Sequence, residues 1–109
     1  MSAQRRTEGA YDVVAYSGEI DFDHSAAMRQ EIIDSLDRGQ HVLVDLSEVS
    51  YIDRSIIASL VQGLQHARSR DLKVDLVGVK NSVLKVLKLT RMDEVFTLHE
   101  SVSAAIAAD

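Results

Sequence analysis

The fold of this chain is decided by the stretch HVLVDLSEVSYIDRSIIASLVQGL, residues 41–64. Residues 41–46 form a nearly continuous apolar run broken by Asp45, which is typical of a central strand covered on at least one face. After a polar turn, apolar side chains recur at helical spacing at Ile56, Ile57, Leu60, Val61 and Leu64. A buried strand followed by an amphipathic helix predicts one unit of an α/β sheet.

Ser55 stands at the turn between this strand and this helix. A serine there can act as a helix N-cap, which is worth about 1 kcal/mol. The unpaired N–H groups and the positive end of the dipole at a helix N-terminus also favour negative charge, so a phosphate on Ser55 would be stabilised. Two roles are therefore possible for Ser55: a structural helix cap and a phosphorylated switch. Asp53 is interpreted as a residue that positions the turn.

The run VDLSEVSYIDRSIIASL resembles the signature of the STAS domain of bacterial anti-sigma-factor antagonists. In that signature a hydrophobic strand ending in aspartate leads to an Ile-Asp-Ser-Ser-Gly turn and a helix. The positions that fit are Val44, Asp45, Leu46, Ser47, Val49, Ile52, Asp53 and Ser55. A second stretch, GEIDFDHSAAMRQEI at residues 18–32, resembles the family's Gly-Glu-Ile/Leu-Asp turn and the following helix, so the resemblance spans about residues 11–106.

Two residues depart from this signature. Arg54 replaces the first serine of the pair, and Ile56 replaces the glycine that follows the acceptor serine. The planar guanidinium of Arg54 suits bidentate recognition of a phosphate or carboxylate on a partner. The β-branched side chain of Ile56 is expected to hinder the approach of a kinase to Ser55.

The resemblance implies a binding module that docks on an anti-sigma factor with serine-kinase activity and thereby frees a sigma factor. Ser55 is then the phosphoacceptor, and a serine phosphatase reverses the modification. The predicted partner-binding residues are Asp21, Asp23, His24, Asp53, Arg54, Ser55 and Ile56.

Two other functions are open. In the first, the chain is a STAS adaptor subunit of a transporter or signalling complex that is never phosphorylated, which the departures at Arg54 and Ile56 favour. In the second, Asp45 at a strand end accepts phosphate as in a receiver domain, but the sequence lacks the arrangement of an acidic pair and a distal lysine expected of such a site.

Composition favours a small cytoplasmic domain without chemistry of its own. The 109 residues are 46% hydrophobic, enough for one core, and no apolar stretch reaches the roughly 18 residues of a membrane span. A formal charge of −5 argues against a nucleic-acid partner. The chain has no cysteine, and its four histidines lack ligand spacing, so neither a metal nor a cofactor is expected. We also find no catalytic motif, and the oligomeric state is left open.

The first half of the chain predicts a strand at residues 11–16, then a turn at Gly18 where the chain folds back. A helix follows, capped by Asp23 or Ser25 and closed by Gly39. Its apolar positions are Met28, Ile32 and Leu36.

The second half predicts a strand at residues 72–79, a helix capped by Asn81 or Ser82, a strand at residues 95–98 and a terminal helix capped by Ser101. Together with the resemblance, this order implies an α/β fold. We expect a single STAS-type domain at residues 10–109, with a mixed sheet of four or five strands and about four helices mainly on one face. Residues 1–9 are predicted to be disordered.

Overall fold

A mixed five-stranded sheet forms the centre of the molecule in a computed structural model that describes residues 3–108. Its strands are β1 (Gln4–Glu8), β2 (Tyr11–Ile20), β3 (His41–Ile52), β4 (Val74–Val77) and β5 (Leu98–His99). The helices are α1 (Phe22–Asp37), α2 (Arg54–Ser69), α3 (Asn81–Leu89) and α4 (Val102–Ala107), with a 3₁₀ turn at Met92–Glu94. The predicted α/β class and mixed sheet are confirmed.

Strand order in the sheet is the same as strand order in the chain. β1 pairs antiparallel with β2, whereas β2, β3, β4 and β5 run parallel to one another. Connections between parallel strands are right-handed, and here three successive connections step in the same direction across the sheet. Their helices α1, α2 and α3 therefore lie on one face.

The main core fills the space between the sheet and these three helices. It joins the inward side chains of β2, β3 and β4 to the apolar stripes of the helices, which include Met28, Ile32, Leu36, Ile56, Leu60 and Leu87. On the opposite face a smaller cluster packs Ala105 of α4 against Val13 and Leu43, with Val102 and Ile106 at its edge. The prediction that the helices lie mainly on one face is confirmed.

Helices α1 and α2 approach closely because Gly63 faces Ile32. A Cβ atom built on Gly63 would lie 2.7 Å from Cγ2 of Ile32, closer than two carbon atoms can pack. Since Ile32 is fully buried, the missing side chain at residue 63 allows the two helices to meet. This contact lies in the second half of each helix and packs α1 against α2.

The predicted disorder at residues 1–9 is wrong for residues 4–8, which form β1; residues 1–2 lie outside the described part. Gly9, with φ of 62°, makes the turn that pairs Glu8 with Tyr11. Arg5 donates to the carbonyl of Glu31 (2.8 Å), and Thr7 donates to Asp12 (2.9 Å). This edge strand is exposed and polar, so it carries no apolar alternation that a sequence could reveal.

The predicted turn at Gly18 is also wrong. β2 continues through Gly18 to Ile20 and pairs parallel with β3 along its length, so no hairpin forms there. The register shifts between Ala15 and Ser17 and again between Gly18 and Glu19. Gly18, with φ of 79°, therefore lies at a register shift within the strand, where its positive φ is tolerated.

Several helix ends differ from the sequence predictions. Asp21, two residues before Asp23 and four before Ser25, caps α1 in place of either. α3 has Lys80 at its N-cap without a side-chain hydrogen bond, and Ser82 instead donates to the carbonyl of Ser50 (2.9 Å). Neither residue 81 nor residue 82 is therefore the cap.

Other boundaries agree or shift by a few residues. Gly39 follows α1 with φ of 83°, and Ser101 caps α4 by accepting the N–H of Ala104 at 3.1 Å, as predicted. β4 is shorter than residues 72–79. The strand predicted at residues 95–98 begins only at Leu98, because Phe96 follows the 3₁₀ turn into the main core.

Candidate functional site

The helices α1, α2 and α3 all begin near the carboxyl ends of the parallel strands. Ile20 and Ile52, the last residues of β2 and β3, are paired, so α1 and α2 start side by side. Ligands and partners of parallel α/β sheets commonly bind at these strand ends, because the loops there are free of the sheet. The predicted site residues lie in these two loops and the first turns after them.

Asp53 is the centre of this site because its carboxylate links the two helix starts. It is the N-cap of α2, and its Oδ1 accepts the N–H groups of Ser55 (3.0 Å) and Ile56 (3.2 Å) and the hydroxyl of Ser55 (2.5 Å). Its Oδ2 accepts the N–H of Phe22, the first residue of α1, at 3.0 Å. One carboxylate therefore fixes α1 relative to α2.

These bonds also set the charge of Asp53. Partial burial opposes ionisation, but the hydrogen bonds from the Ser55 hydroxyl and from the backbone N–H groups of Ile56, Phe22 and Ser55 outweigh it, so the pKa of Asp53 lies below its usual range. The carboxylate is ionised at neutral pH and is a weak base. It orients the Ser55 hydroxyl without activating it as a nucleophile.

Ser55 is the second residue of α2 and not its N-cap, which corrects one of the two roles considered for it. Its side chain is half-buried, and its hydroxyl donates to Asp53. The N–H groups expected to receive a phosphate are already bound by that carboxylate. The anion at the start of α2 is thus Asp53 itself, and a phosphate on Ser55 would project away from the helix end.

The acidic loop lies at the start of α1. Asp21 caps the helix by accepting the N–H of Asp23 (3.0 Å), and the N–H of Asp21 donates to Nδ1 of His24 (3.3 Å). Asp23 is exposed, while Asp21 and His24 are half-buried. Through the Phe22–Asp53 bond, the structure brings this loop next to the Ser55 turn.

Arg54 and Ile56 flank Ser55 but face opposite ways. Arg54 is exposed in the first turn of α2, where it is open to a partner. Ile56 has 0% of its surface exposed and belongs to the main core. Its prediction as a partner-binding residue is therefore wrong, and its branched side chain does not stand between a partner and Ser55.

Phe22 was missed by the sequence analysis. Its ring is 74% exposed although it lies between Asp21 and Asp23 at the centre of the site. A signal existed, because Phe22 is out of register with the buried stripe of α1 at residues 28, 32 and 36. An apolar residue outside the core stripe of an amphipathic helix is a candidate contact for a partner.

Comparison with known families assigns the fold. The family model of the STAS domain matches residues 4–105. The chain belongs to the STAS domain family. Its first strand is included in that match, in agreement with the corrected N-terminal boundary.

Solved structures resemble this STAS domain over most of its length. A putative anti-sigma factor antagonist from Thermotoga maritima has a TM-score of 0.89 at 20% identity, covering 97% of this chain and 92% of that one. SpoIIAA, a Bacillus cell-fate determinant, has in its phosphorylated form a TM-score of 0.77 at 14% identity, covering 98% of both chains. A sulfate transporter family protein from Wolinella succinogenes has a TM-score of 0.81 at 14% identity, covering 94% of this chain and 87% of that one.

Within residues 3–108, no group of three or more potential ligands could hold a metal ion, and no helix is long and apolar enough to cross a membrane. Asp45 lies within β3 and accepts the N–H of Ser47 (2.9 Å), a contact inside the strand that gives no support to a receiver-type phosphoacceptor at a strand end. What the site offers is a half-buried serine whose hydroxyl is held in a fixed direction by Asp53, in a turn next to the loop that carries Asp21, Phe22 and Asp23.

Proposed function

We propose that the chain is an anti-sigma factor antagonist, which binds an anti-sigma factor with serine-kinase activity and thereby releases a sigma factor. The observation that carries this proposal is Ser55, a half-buried residue in the first turn of α2 whose hydroxyl donates to Asp53 at 2.5 Å. The resemblance to structures of anti-sigma factor antagonists supports it.

In this mechanism the chain is the substrate and not the enzyme. The partner kinase transfers the phosphoryl group of its own ATP to Ser55, and a serine phosphatase removes it, both in the cytoplasm. The weak basicity of Asp53 fits an acceptor whose reaction is catalysed by the partner's active site. Asp21, Asp23, His24 and Arg54 surround the acceptor and contact the partner.

Phosphorylation ends binding through charge. A phosphoserine adds about 1.5 to 2 negative charges. Because the Asp53 carboxylate already occupies the N–H groups of α2, it repels the phosphate and turns it outward, toward the docked partner. Like charges brought together at an interface cost several kcal/mol, which weakens binding by a few powers of ten. Release follows without unfolding of the domain.

The test is phosphopeptide mapping by mass spectrometry of this protein isolated from its own cells, growing and stressed, with phosphatase inhibitors present. We expect phosphate on Ser55 whose level changes with conditions. The Ser55→Ala variant should bind its partner permanently, and Ser55→Glu should bind weakly. Ser82 provides a matched control, because it is also the second residue of its helix, α3. A Ser55 that is unmodified under every condition would refute the proposal.

A second candidate function is an adaptor subunit of a transporter or signalling complex that is never phosphorylated. It is favoured by the resemblance to the sulfate transporter family protein and by Arg54, which replaces the first serine of the family's serine pair. For an adaptor, Ser55→Ala would leave partner binding unchanged in cells. The same pair of variants therefore separates the two functions.

A further inference from the structure

Phe22 presents an aromatic ring that the fold itself does not use. The ring is 74% exposed, whereas the apolar stripe of α1 at Met28, Ile32 and Leu36 is fully buried. Isolated exposed apolar side chains are common on protein surfaces and need no explanation by themselves. Phe22 differs because of how its backbone is held.

The backbone of Phe22 is fixed at both ends. Its N–H donates to Oδ2 of Asp53 at 3.0 Å, and its carbonyl accepts the hydroxyl of Ser25 at 2.8 Å. The other oxygen of the same carboxylate holds the hydroxyl of Ser55 at 2.5 Å. The backbone N–H of Phe22 and the acceptor hydroxyl are thus bound to two oxygens of one carboxylate, so the position of the Phe22 backbone relative to the acceptor is set before any partner arrives.

We propose that Phe22 is the apolar anchor on which the serine kinase docks when it reaches Ser55. This inference rests on the proposed function and adds the docking surface, which consists of Phe22 with the flanking Asp21 and Asp23. A protein whose active site reaches the Ser55 hydroxyl must also approach the start of α1, because the Asp53 carboxylate joins the two.

The flanking charges define the chemistry of the partner. Asp23, which is exposed, and Asp21, which is half-buried, stand on either side of Phe22 in the sequence, and the chain as a whole carries a formal charge of −5. The complementary surface is an apolar pocket for one aromatic ring with Lys or Arg at its rim, next to the phosphoryl-transfer centre. A pre-positioned aromatic side chain entering such a pocket is the common form of an interface hot spot.

The first experiment places the photo-crosslinking residue p-benzoylphenylalanine at position 22 of the full chain in its own cells, and at position 89 as the control. Leu89 is also apolar and 85% exposed, but it is the last residue of α3, which runs away from the site. We expect the probe at position 22, and not the probe at position 89, to crosslink to a protein that phosphorylates Ser55 when purified.

The second experiment measures phosphorylation of Ser55 by that purified protein. Phe22→Ala should raise KM about 30-fold and change kcat less than about twofold, since a hot spot contributes at least about 2 kcal/mol to binding. Leu89→Ala should change neither constant. The thermal unfolding midpoints of both variants should match that of the parent protein, because neither the Phe22 ring nor the Leu89 side chain is buried in the core.

The outcomes separate the two proposals. If a kinase phosphorylates wild-type Ser55 but Phe22→Ala leaves KM unchanged, or lowers kcat alone, the anchor is refuted while the antagonist function stands. If no protein phosphorylates wild-type Ser55 and the cellular protein carries no phosphate there, both are refuted.

Discussion

Replacing Asp53 with alanine is expected to lower the free energy of unfolding by about 2 to 3 kcal/mol. Loss of an N-cap acceptor costs about 1 kcal/mol and up to 2. Here the same carboxylate also accepts the N–H of Phe22 from another helix, and a hydrogen bond to a charged group contributes about 1.5 kcal/mol more. In a domain of this size the midpoint of thermal unfolding should fall by roughly 10 °C.

The matched control is Asp21→Ala at the cap of α1. The Asp21 carboxylate accepts the N–H of Asp23 within its own helix, and within residues 3–108 it makes no bond that joins two helices, so its loss should cost only about 1 kcal/mol. Urea unfolding followed by circular dichroism at pH 7 measures both variants. Equal losses for the two variants would refute the idea that Asp53 ties α1 to α2.

The pH dependence gives an independent check with Asp53→Asn. Hydrogen bonds hold the pKa of Asp53 below its usual range, so the ionised carboxylate stabilises the folded state. That stabilisation is complete above the unfolded-state pKa of about 3.9 and is lost as the pH falls through the lower folded-state value. The stability difference between the parent protein and Asp53→Asn should be full at pH 7 and should shrink below about pH 4. A difference that is unchanged at pH 2 would contradict this account.

Two glycine substitutions test the packing that supports the site. Gly63→Ala places a Cβ 2.7 Å from Cγ2 of Ile32, so overpacking of about 1 to 3 kcal/mol should exceed the roughly 1 kcal/mol gained in helix propensity. Ile32→Leu, which lacks that branch at Cβ, should recover stability in the double variant, as measured by urea unfolding. Gly78→Ala combines a φ of 68° with a Cβ 2.7 Å from Cβ of Ser47, whereas Gly39→Ala, at φ of 83°, meets nothing within 4 Å. We expect Gly78→Ala to lose at least about 1 kcal/mol more, and equal melting temperatures would show that the contact with Ser47 is unimportant.

The parts of the fold that depend on local patterns could be predicted. Ile56, Leu60 and Leu64 of α2 are buried as their helical spacing indicates, because a helix places side chains three and four residues apart on one face. Gly39 and Ser101 occupy the helix ends that their conformational preferences favour.

The parts of the fold that depend on contacts between distant residues could not be predicted from the sequence. Asp53 and Ser55 are both good helix caps, and no local rule decides between them. The choice is consistent with a bond from Asp53 to Phe22, 31 residues away in sequence. Likewise, residues 4–8 form a strand because β2 offers an edge, and nothing in their own polar sequence indicates it.

Sheet order that follows chain order also bears on how fast the molecule folds. From β2 onward, each strand pairs with the strand that precedes it in sequence. Every strand pairing therefore closes only one loop, and the longest of these loops contains a single helix. The entropy of closing a loop grows with its length, and proteins whose contacts are close in sequence fold faster than those with distant pairings. We expect refolding from urea in a single phase at the fast end of the range for mixed α/β domains. As the chain leaves the ribosome, each strand can add to a sheet whose preceding neighbour is already in place.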